Sequence, residues 1–218
     1  MSDIFREIDD DIRRDQAIDV WKKYSPWFLV AGALIVALTG GYRFYRHYET
    51  QASEAMGTRF QAALEASAAG KPDDAIKALT GIASENAAGY ALLSRFRLAV
   101  ERGAVDPADA AKQFELLAAD ASIVPVLRGL ARLRAATLVA DTVTLEELQA
   151  RLQPLIVPGG TWAGNSRELL GLKLLKAGDM AGAGKAFDEI MTDEIAPATL
   201  KQRVQVYLAL VKAGSKLP

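Results

Sequence analysis

Residues 170–190 read LGLKLLKAGDMAGAGKAFDEI, and most of them are good helix formers. The run breaks at Gly178-Asp179, where a glycine able to end one helix precedes an aspartate able to cap the next. Beyond the break, three residues recur at the spacing of one helix face: Ala183, Phe187 and Ile190. This stretch therefore predicts two helices joined by a tight turn.

The same spacing occurs in three earlier segments. In all four, a small or apolar residue is followed by larger apolar residues four and seven positions later: 75–82, 110–117, 148–155 and 183–190. Successive segments start 35, 38 and 35 residues apart, close to the 34-residue period of tetratricopeptide repeats. After Thr50, no window alternates in the manner of a strand. We predict an all-α fold, a tetratricopeptide-repeat-like α-solenoid of about four helical hairpins.

Turn signals separate the two helices of each predicted hairpin. Three of them combine a helix-ending glycine with a capping or first-turn residue: Gly70 with Pro72, Gly103 with Asp106, and Gly178 with Asp179. In the third hairpin, Thr144 and Glu147 form a capping box instead. That hairpin also departs from the pattern because Leu148 replaces the small residue and Pro154 should end or kink its second helix.

The residues after Pro197 predict one more helix, which ends at Gly214. Its apolar side chains fall on a single stripe: Leu200, Val204, Tyr207, Leu208 and Val211. We expect this C-terminal capping helix to cover the exposed face of the last hairpin.

An uncharged stretch of nineteen residues, YSPWFLVAGALIVALTGGY, occupies residues 24–42. As a helix it would span roughly 28 Å, close to the thickness of the bilayer hydrocarbon core. Aromatic residues flank both ends, as they do at membrane interfaces, which favours a transmembrane helix over a buried core helix. The stretch is longer than the apolar part of a cleaved signal peptide, and it ends in Thr39-Gly40-Gly41-Tyr42-Arg43 instead of an Ala-x-Ala-like site.

The preceding residues 1–23 carry five Lys or Arg, against three in the twenty residues after the stretch. The positive-inside rule therefore predicts a cytoplasmic N-terminus. This leader is expected to form an amphipathic helix with one apolar stripe: Ile4, Phe5, Ile8 and Ile12. Residues 43–53 would link the membrane helix to an interaction domain over residues 54–218.

Within the predicted membrane helix, small residues recur every four positions: Ala33, Ala37 and Gly41. Such a pattern lets two membrane helices approach closely, so these residues are candidates for helix packing. Small residues are common in membrane helices, and a chance occurrence stays open.

The order of these parts resembles the YfgM family of bacterial ancillary SecYEG translocon subunits. Four segments carry the resemblance: residues 1–15 (MSDIFREIDDDIRRD), Gly41-Tyr42-Arg43, residues 161–179 (TWAGNSRELLGLKLLKAGD), and Phe187 with Pro197. The resemblance implies a single-pass protein of the bacterial inner membrane whose repeat domain lies in the periplasm. It also implies association with the SecYEG translocon and with periplasmic chaperones or exported clients.

The composition argues against catalysis and cofactor binding. The chain has no cysteine and a single histidine, His47, which removes thiolate zinc sites and most catalytic triads. The sequence around Gly182-Ala-Gly184-Lys185 lacks the remaining residues of a phosphate-binding loop. A net charge of -1 gives no basic excess for nucleic acid. We therefore predict a non-enzyme without cofactor, metal, nucleic acid or small-molecule substrate.

A candidate partner groove is predicted from Arg95, Arg128, Arg132 and Trp162. The arginines fall on first helices, which line the concave surface of such arrays, and guanidinium groups bind acidic or C-terminal peptide groups. The alternatives are a solvated surface for the arginines and a packing role for Trp162.

The sequence thus predicts a membrane-anchored protein-interaction module. The resemblance specifies an accessory subunit of the Sec translocon that links protein export to periplasmic chaperones. The alternative is a structural or stress-signalling scaffold whose cytoplasmic leader controls a soluble regulator.

Overall fold

A computed structural model describes residues 2–85 and 88–214 of the chain. Side chains are described for the same residues except 2–20, 22–26, 28, 29, 49, 52 and 88. The apolar stripe predicted for the leader lies outside the described side chains. Contacts divide the chain into two units, residues 1–55 and 56–218.

Every regular element in the described residues is helical, as the sequence predicts. The helices are α1 (Ser2–Ala68), α2 (Pro72–Ala83), α3 (Ala88–Gly103), α4 (Pro107–Ala119), α5 (Pro125–Val139), α6 (Leu145–Leu152), α7 (Ala163–Ala177), α8 (Met180–Thr192) and α9 (Ala198–Lys212). A 3-10 turn, Gln153–Leu155, follows α6. Among the described residues, no helix combines the length and the apolarity needed to cross a bilayer. The membrane helix predicted over residues 24–42 is not confirmed.

In the second unit, helices pair as hairpins: α3 with α4, α5 with α6, and α7 with α8. We call α3, α5 and α7 the first helices and α2, α4, α6 and α8 the second helices. All twelve residues at the repeated positions of the second helices are at most 8% exposed: Ala75, Leu79, Ile82, Ala110, Phe114, Leu117, Leu148, Leu152, Leu155, Ala183, Phe187 and Ile190. The repeat spacing of the sequence therefore identifies core positions.

The predicted turns form, with one difference. Gly70 and Gly178 adopt φ angles of +74° and +86°, the left-handed conformation that ends a helix. Gly103 ends α3 without a positive φ. Its role is close packing, because a Cβ atom there would lie 3.1 Å from the Cβ of Ala110 on α4.

Side-chain caps start three second helices. The Asp106 carboxylate accepts hydrogen bonds from the backbone N–H groups of Ala108 and Asp109. Thr144 and Glu147 form the predicted capping box at α6, and the Asp179 carboxylate accepts from Gly182 N at 2.8 Å. These bonds satisfy backbone donors that a helix start leaves free.

The third hairpin is distorted where Pro154 predicts it. Helix α6 stops at Leu152, and the 3-10 turn continues to Leu155. Leu155 remains 8% exposed, so the turn keeps its apolar contact although the helix has ended.

Helix α9 covers the last hairpin as expected. Leu200 and Val204 are buried against α8 residues, and Gly214 follows the helix with a φ of +63°. The Arg203 guanidinium donates to both carboxylate oxygens of Glu168 on α7, at 3.0 and 2.9 Å. The same carboxylate raises the pKa of Arg203, first through the hydrogen bond and then through its charge.

Candidate protein-binding surfaces of the helical repeats

The first helices expose one face, which we call the inner face. Val100, Thr137 and Leu172 each directly follow the buried small residue of α3, α5 and α7, respectively, and so share a register. Between α5 and α7 this face holds a cleft of about 410 Å³, whose lining includes Thr137, Leu169 and Leu172. On α3 it carries Leu93, 53% exposed, and Val100, 49% exposed. The inner face is therefore open and largely apolar.

Two lysines that line this cleft hold α7 against the residues that follow α5. Lys173 Nζ donates to the carbonyl oxygens of Ala140 and Val143, at 2.6 and 2.8 Å, after the end of α5. Lys176 Nζ lies 2.9 Å from the Asp141 carboxylate. The hydrogen bond and the charge of Lys176 lower the pKa of Asp141. Both ammonium groups are thereby engaged in joining α7 to the third hairpin.

Arg95 lies apart from the other predicted groove residues. Its guanidinium pairs with Asp120 at 2.8 Å, at the end of α4. Hydrogen bonds from the Ser122 hydroxyl and then from Arg95 lower the pKa of Asp120 to about 2. Arg95 thus stabilises a turn between the second and third hairpins.

The structure brings Arg128 and Arg132 together, but on the other side of α5 from the inner face. Both line a cleft of about 240 Å³ whose walls are Ala118 at the end of α4 and Pro154-Leu155 after α6. Thr137 on the inner face lies roughly 140–180° around the helix from them. We expected these arginines on the concave surface, and the structure places them between second helices instead.

Trp162 packs inside the array. Its Nε1 donates to the carbonyl oxygen of Val126 at 2.8 Å, which joins the start of α7 to the first turn of α5. Gly129 makes room for the ring, because a Cβ atom there would lie 2.6 Å from Trp162 Cδ1. The indole therefore belongs to the core contact between the third and fourth hairpins.

The small residues predicted for helix packing lie in α1. Ala33, Ala37 and Gly41 are exposed, and a Cβ atom at Gly41 would meet nothing within 4 Å. Near them, the imidazole of His47 contacts the Gln51 amide at 3.3 Å. These side chains are exposed in the described part of α1.

The helical array is similar to known proteins. A family profile described as a tetratricopeptide repeat-like domain matches residues 19–212. The ancillary SecYEG translocon subunit of Escherichia coli (strain K12) is 31% identical over 174 residues, which cover 78% of this chain and 79% of that protein. The chain belongs to the YfgM family. This confirms the resemblance drawn from the sequence, and the profile places every helix from α2 to α9 within the family domain.

The YfgM-family assignment agrees with the geometry of the helical repeats. The described part of the second unit is built from stacked hairpins with buried small residues at their crossings, which is the packing that such repeats require. No solved structure matches the chain significantly. The family assignment and the geometry both favour a protein-interaction domain.

Proposed function

We propose that the protein is a membrane-anchored interaction module, an accessory subunit of the Sec translocon that links protein export to periplasmic chaperones. The name of the Escherichia coli relative supports association with the translocon. The observation that carries the interaction function is the open inner face, where Leu93 and Val100 are about half exposed. Apolar side chains that are exposed together on one face, rather than singly, are typical of a protein-binding site.

The chemistry of the inner face supports binding rather than catalysis. Leu93 and Val100 lie two helical turns apart on α3 and can contact one extended or helical segment. The lysines nearest the cleft, Lys173 and Lys176, already bond to Ala140, Val143 and Asp141. The face therefore offers apolar contact area and few free polar groups.

The anchor is proposed over residues 24–42, with residues 1–23 cytoplasmic and residues 54–218 periplasmic. Apolar side chains on all sides of this part of α1 are exposed: Val30, Leu34, Ile35, Val36 and Leu38. A helix that is apolar all round is suited to a lipid environment, and the exposed rings of Trp27 and Tyr42 suit its two interfaces. The excess of Lys and Arg in residues 1–23 supports the orientation.

Co-purification of the full chain tests the translocon association. The intact protein, extracted in mild detergent, should co-purify with translocon subunits. Replacing Ala33, Ala37 and Gly41 with Leu should reduce the recovered subunits severalfold, because larger side chains separate the helices. Ala31→Leu with Thr39→Leu, on the opposite side of the helix, is the matched control. Recovery of no translocon subunit with the unaltered chain would refute the proposal.

Cross-linking tests the inner face. Leu93→Asp with Val100→Asp should reduce cross-links to exported proteins and chaperones, since a carboxylate cannot replace the apolar contact. Leu116→Asp, at an exposed apolar residue of α4, should leave those cross-links unchanged. Equal losses from both variants would show that the inner face has no special role.

A further inference from the structure

Helix α5 has an unbalanced charge. Its sequence, PVLRGLARLRAATLV, holds three arginines and no acidic residue. Every other arginine of residues 56–214 forms an ion pair within the described chain: Arg59–Glu85, Arg95–Asp120, Arg97–Glu101, Arg102–Asp109, Arg151–Glu115, Arg167–Glu189 and Arg203–Glu168. In the same residues Arg128, Arg132 and Arg134 form none. The positive charge of α5 is therefore available to a group from outside the fold.

Two of these arginines share a cleft. Arg128 and Arg132 are one helical turn apart and half-buried, and the residues lining their cleft include no carboxylate. A neighbouring cleft of about 200 Å³ shares Ala118 and Arg132 with it. That second cleft contains Glu115, whose carboxylate is bound to Arg151. Together the clefts form a recess between α4, α5 and α6 with an uncompensated positive charge.

The walls of the recess are fixed in place. Trp162 bonds to the Val126 carbonyl and fills the space beside Gly129, which immobilises the first turns of α5. Pro154 restricts the opposite wall, where the 3-10 turn replaces the last turn of α6. The two guanidinium groups therefore stem from a rigid backbone, which reduces the entropy lost when they bind a ligand.

We propose that this recess binds acidic side chains of a protein partner, with Arg128 and Arg132 holding one or two carboxylates. A guanidinium presents paired N–H donors that match the two oxygens of a carboxylate, and partial burial strengthens the bond. The recess can accommodate single side chains of a partner but not a flat partner surface. This proposal rests on the interaction function proposed above. It adds a charge-selective site on the side of α5 that faces away from the inner face.

Fluorescence anisotropy with the full chain in phosphatidylcholine nanodiscs tests the site. The probe is a fluorescein-labelled decapeptide of Gly and Ser with four Glu residues, and its match has Gln in place of Glu. The Glu peptide should bind at least roughly tenfold more tightly, as charge-assisted bonds predict. Arg128→Gln with Arg132→Gln should abolish this preference. Arg134→Gln, which removes the same charge from the exposed side of α5, should change it less than about twofold.

Charge reversal separates binding from folding. Arg128→Glu with Arg132→Glu should transfer the preference to a peptide with Lys in place of Glu, which an unfolded protein could not do. Equal binding of the Glu and Gln peptides, or equal losses from the Arg134 and Arg128/Arg132 variants, would overturn the proposal. Loss of peptide binding in nanodiscs containing phosphatidylglycerol would assign the recess to lipid headgroups and would overturn it as well.

The test of the acidic site does not depend on the inner face. Leu93→Asp with Val100→Asp should leave the preference for the Glu peptide intact. If translocon subunits co-purify but the preference is absent, only the acidic site fails. If the preference is present without translocon subunits, only the proposed function fails.

Discussion

The third and fourth hairpins have the same plan but differ in how closely their helices meet. In the fourth, Gly171 on α7 lies against the Phe187 ring of α8, so the crossing is tight. In the third, Ala136 and Leu152 occupy the equivalent positions, and α6 ends early in a 3-10 turn. The recess with Arg128 and Arg132 opens beside the shortened helix. The position where the repeat departs from its pattern is thus where a charged site becomes accessible.

The largest expected effect is loss of the aromatic ring in the fourth hairpin. Phe187→Ala should lower the free energy of unfolding by about 3–5 kcal/mol, because the ring is fully buried and its removal leaves a cavity. Leu155→Ala, at the end of the third hairpin, should cost about 2 kcal/mol because the adjacent recess already lowers its packing. Urea unfolding of the full chain in detergent, followed by circular dichroism, measures both. Equal losses would mean that the two hairpins are packed equally well.

The next effect concerns the glycine at the tight crossing. A Cβ atom at Gly171 would lie 2.5 Å from Phe187 Cε1, so Gly171→Ala should destabilise the protein by about 1–3 kcal/mol. The matched control is Gly184→Ala on α8, where the nearest side-chain atom would be at 3.5 Å. That change should stabilise by up to about 1 kcal/mol, since alanine favours the helix. A destabilised Gly184 variant would contradict the packing argument.

The sequence predicts the helices and their buried positions because neighbouring residues alone identify them. Helical spacing identifies the buried residues of the second helices, and capping motifs identify their starts. The site was harder to predict, because its geometry depends on contacts between distant residues. Trp162 bonds to Val126, 36 positions away, and Lys173 reaches Ala140 across 33 positions. The spacing of Arg128 and Arg132 predicts that they share a helix face, but the surroundings of that face are set by how α4 and α6 pack.

A smaller effect, an increase in stability, is expected from the removal of a buried hydroxyl. Ser166 on α7 is fully buried, and its Oγ has no hydrogen-bond partner in the described structure. In the third hairpin the equivalent residue, five positions before the crossing, is the fully buried Ala131. Ser166→Ala should therefore stabilise the protein by about 1 kcal/mol in urea unfolding, because an unsatisfied hydroxyl is removed from the core. Ser94→Ala on α3 should act in the same direction, and a loss of stability in both would reveal a missing partner.

The smallest effect concerns the ion pairs on either side of the third hairpin. The pKa of Asp120 is lowered to about 2, and that of Asp141 is lowered by Lys176, so both carboxylates are more acidic in the folded chain. Their bonds therefore stabilise the fold above about pH 4, the ordinary pKa, and the stabilisation is lost as the pH falls below 4, for Asp120 through about pH 2. Ser122→Ala and Arg95→Gln should each raise the pKa of Asp120, because the Ser122 hydroxyl and the Arg95 guanidinium both lower it. Carboxyl NMR titration measures both shifts, with Asp141 as the internal control. A pKa of Asp120 that follows Arg95 alone would show that the charge, rather than the turn, holds the second hairpin to the third.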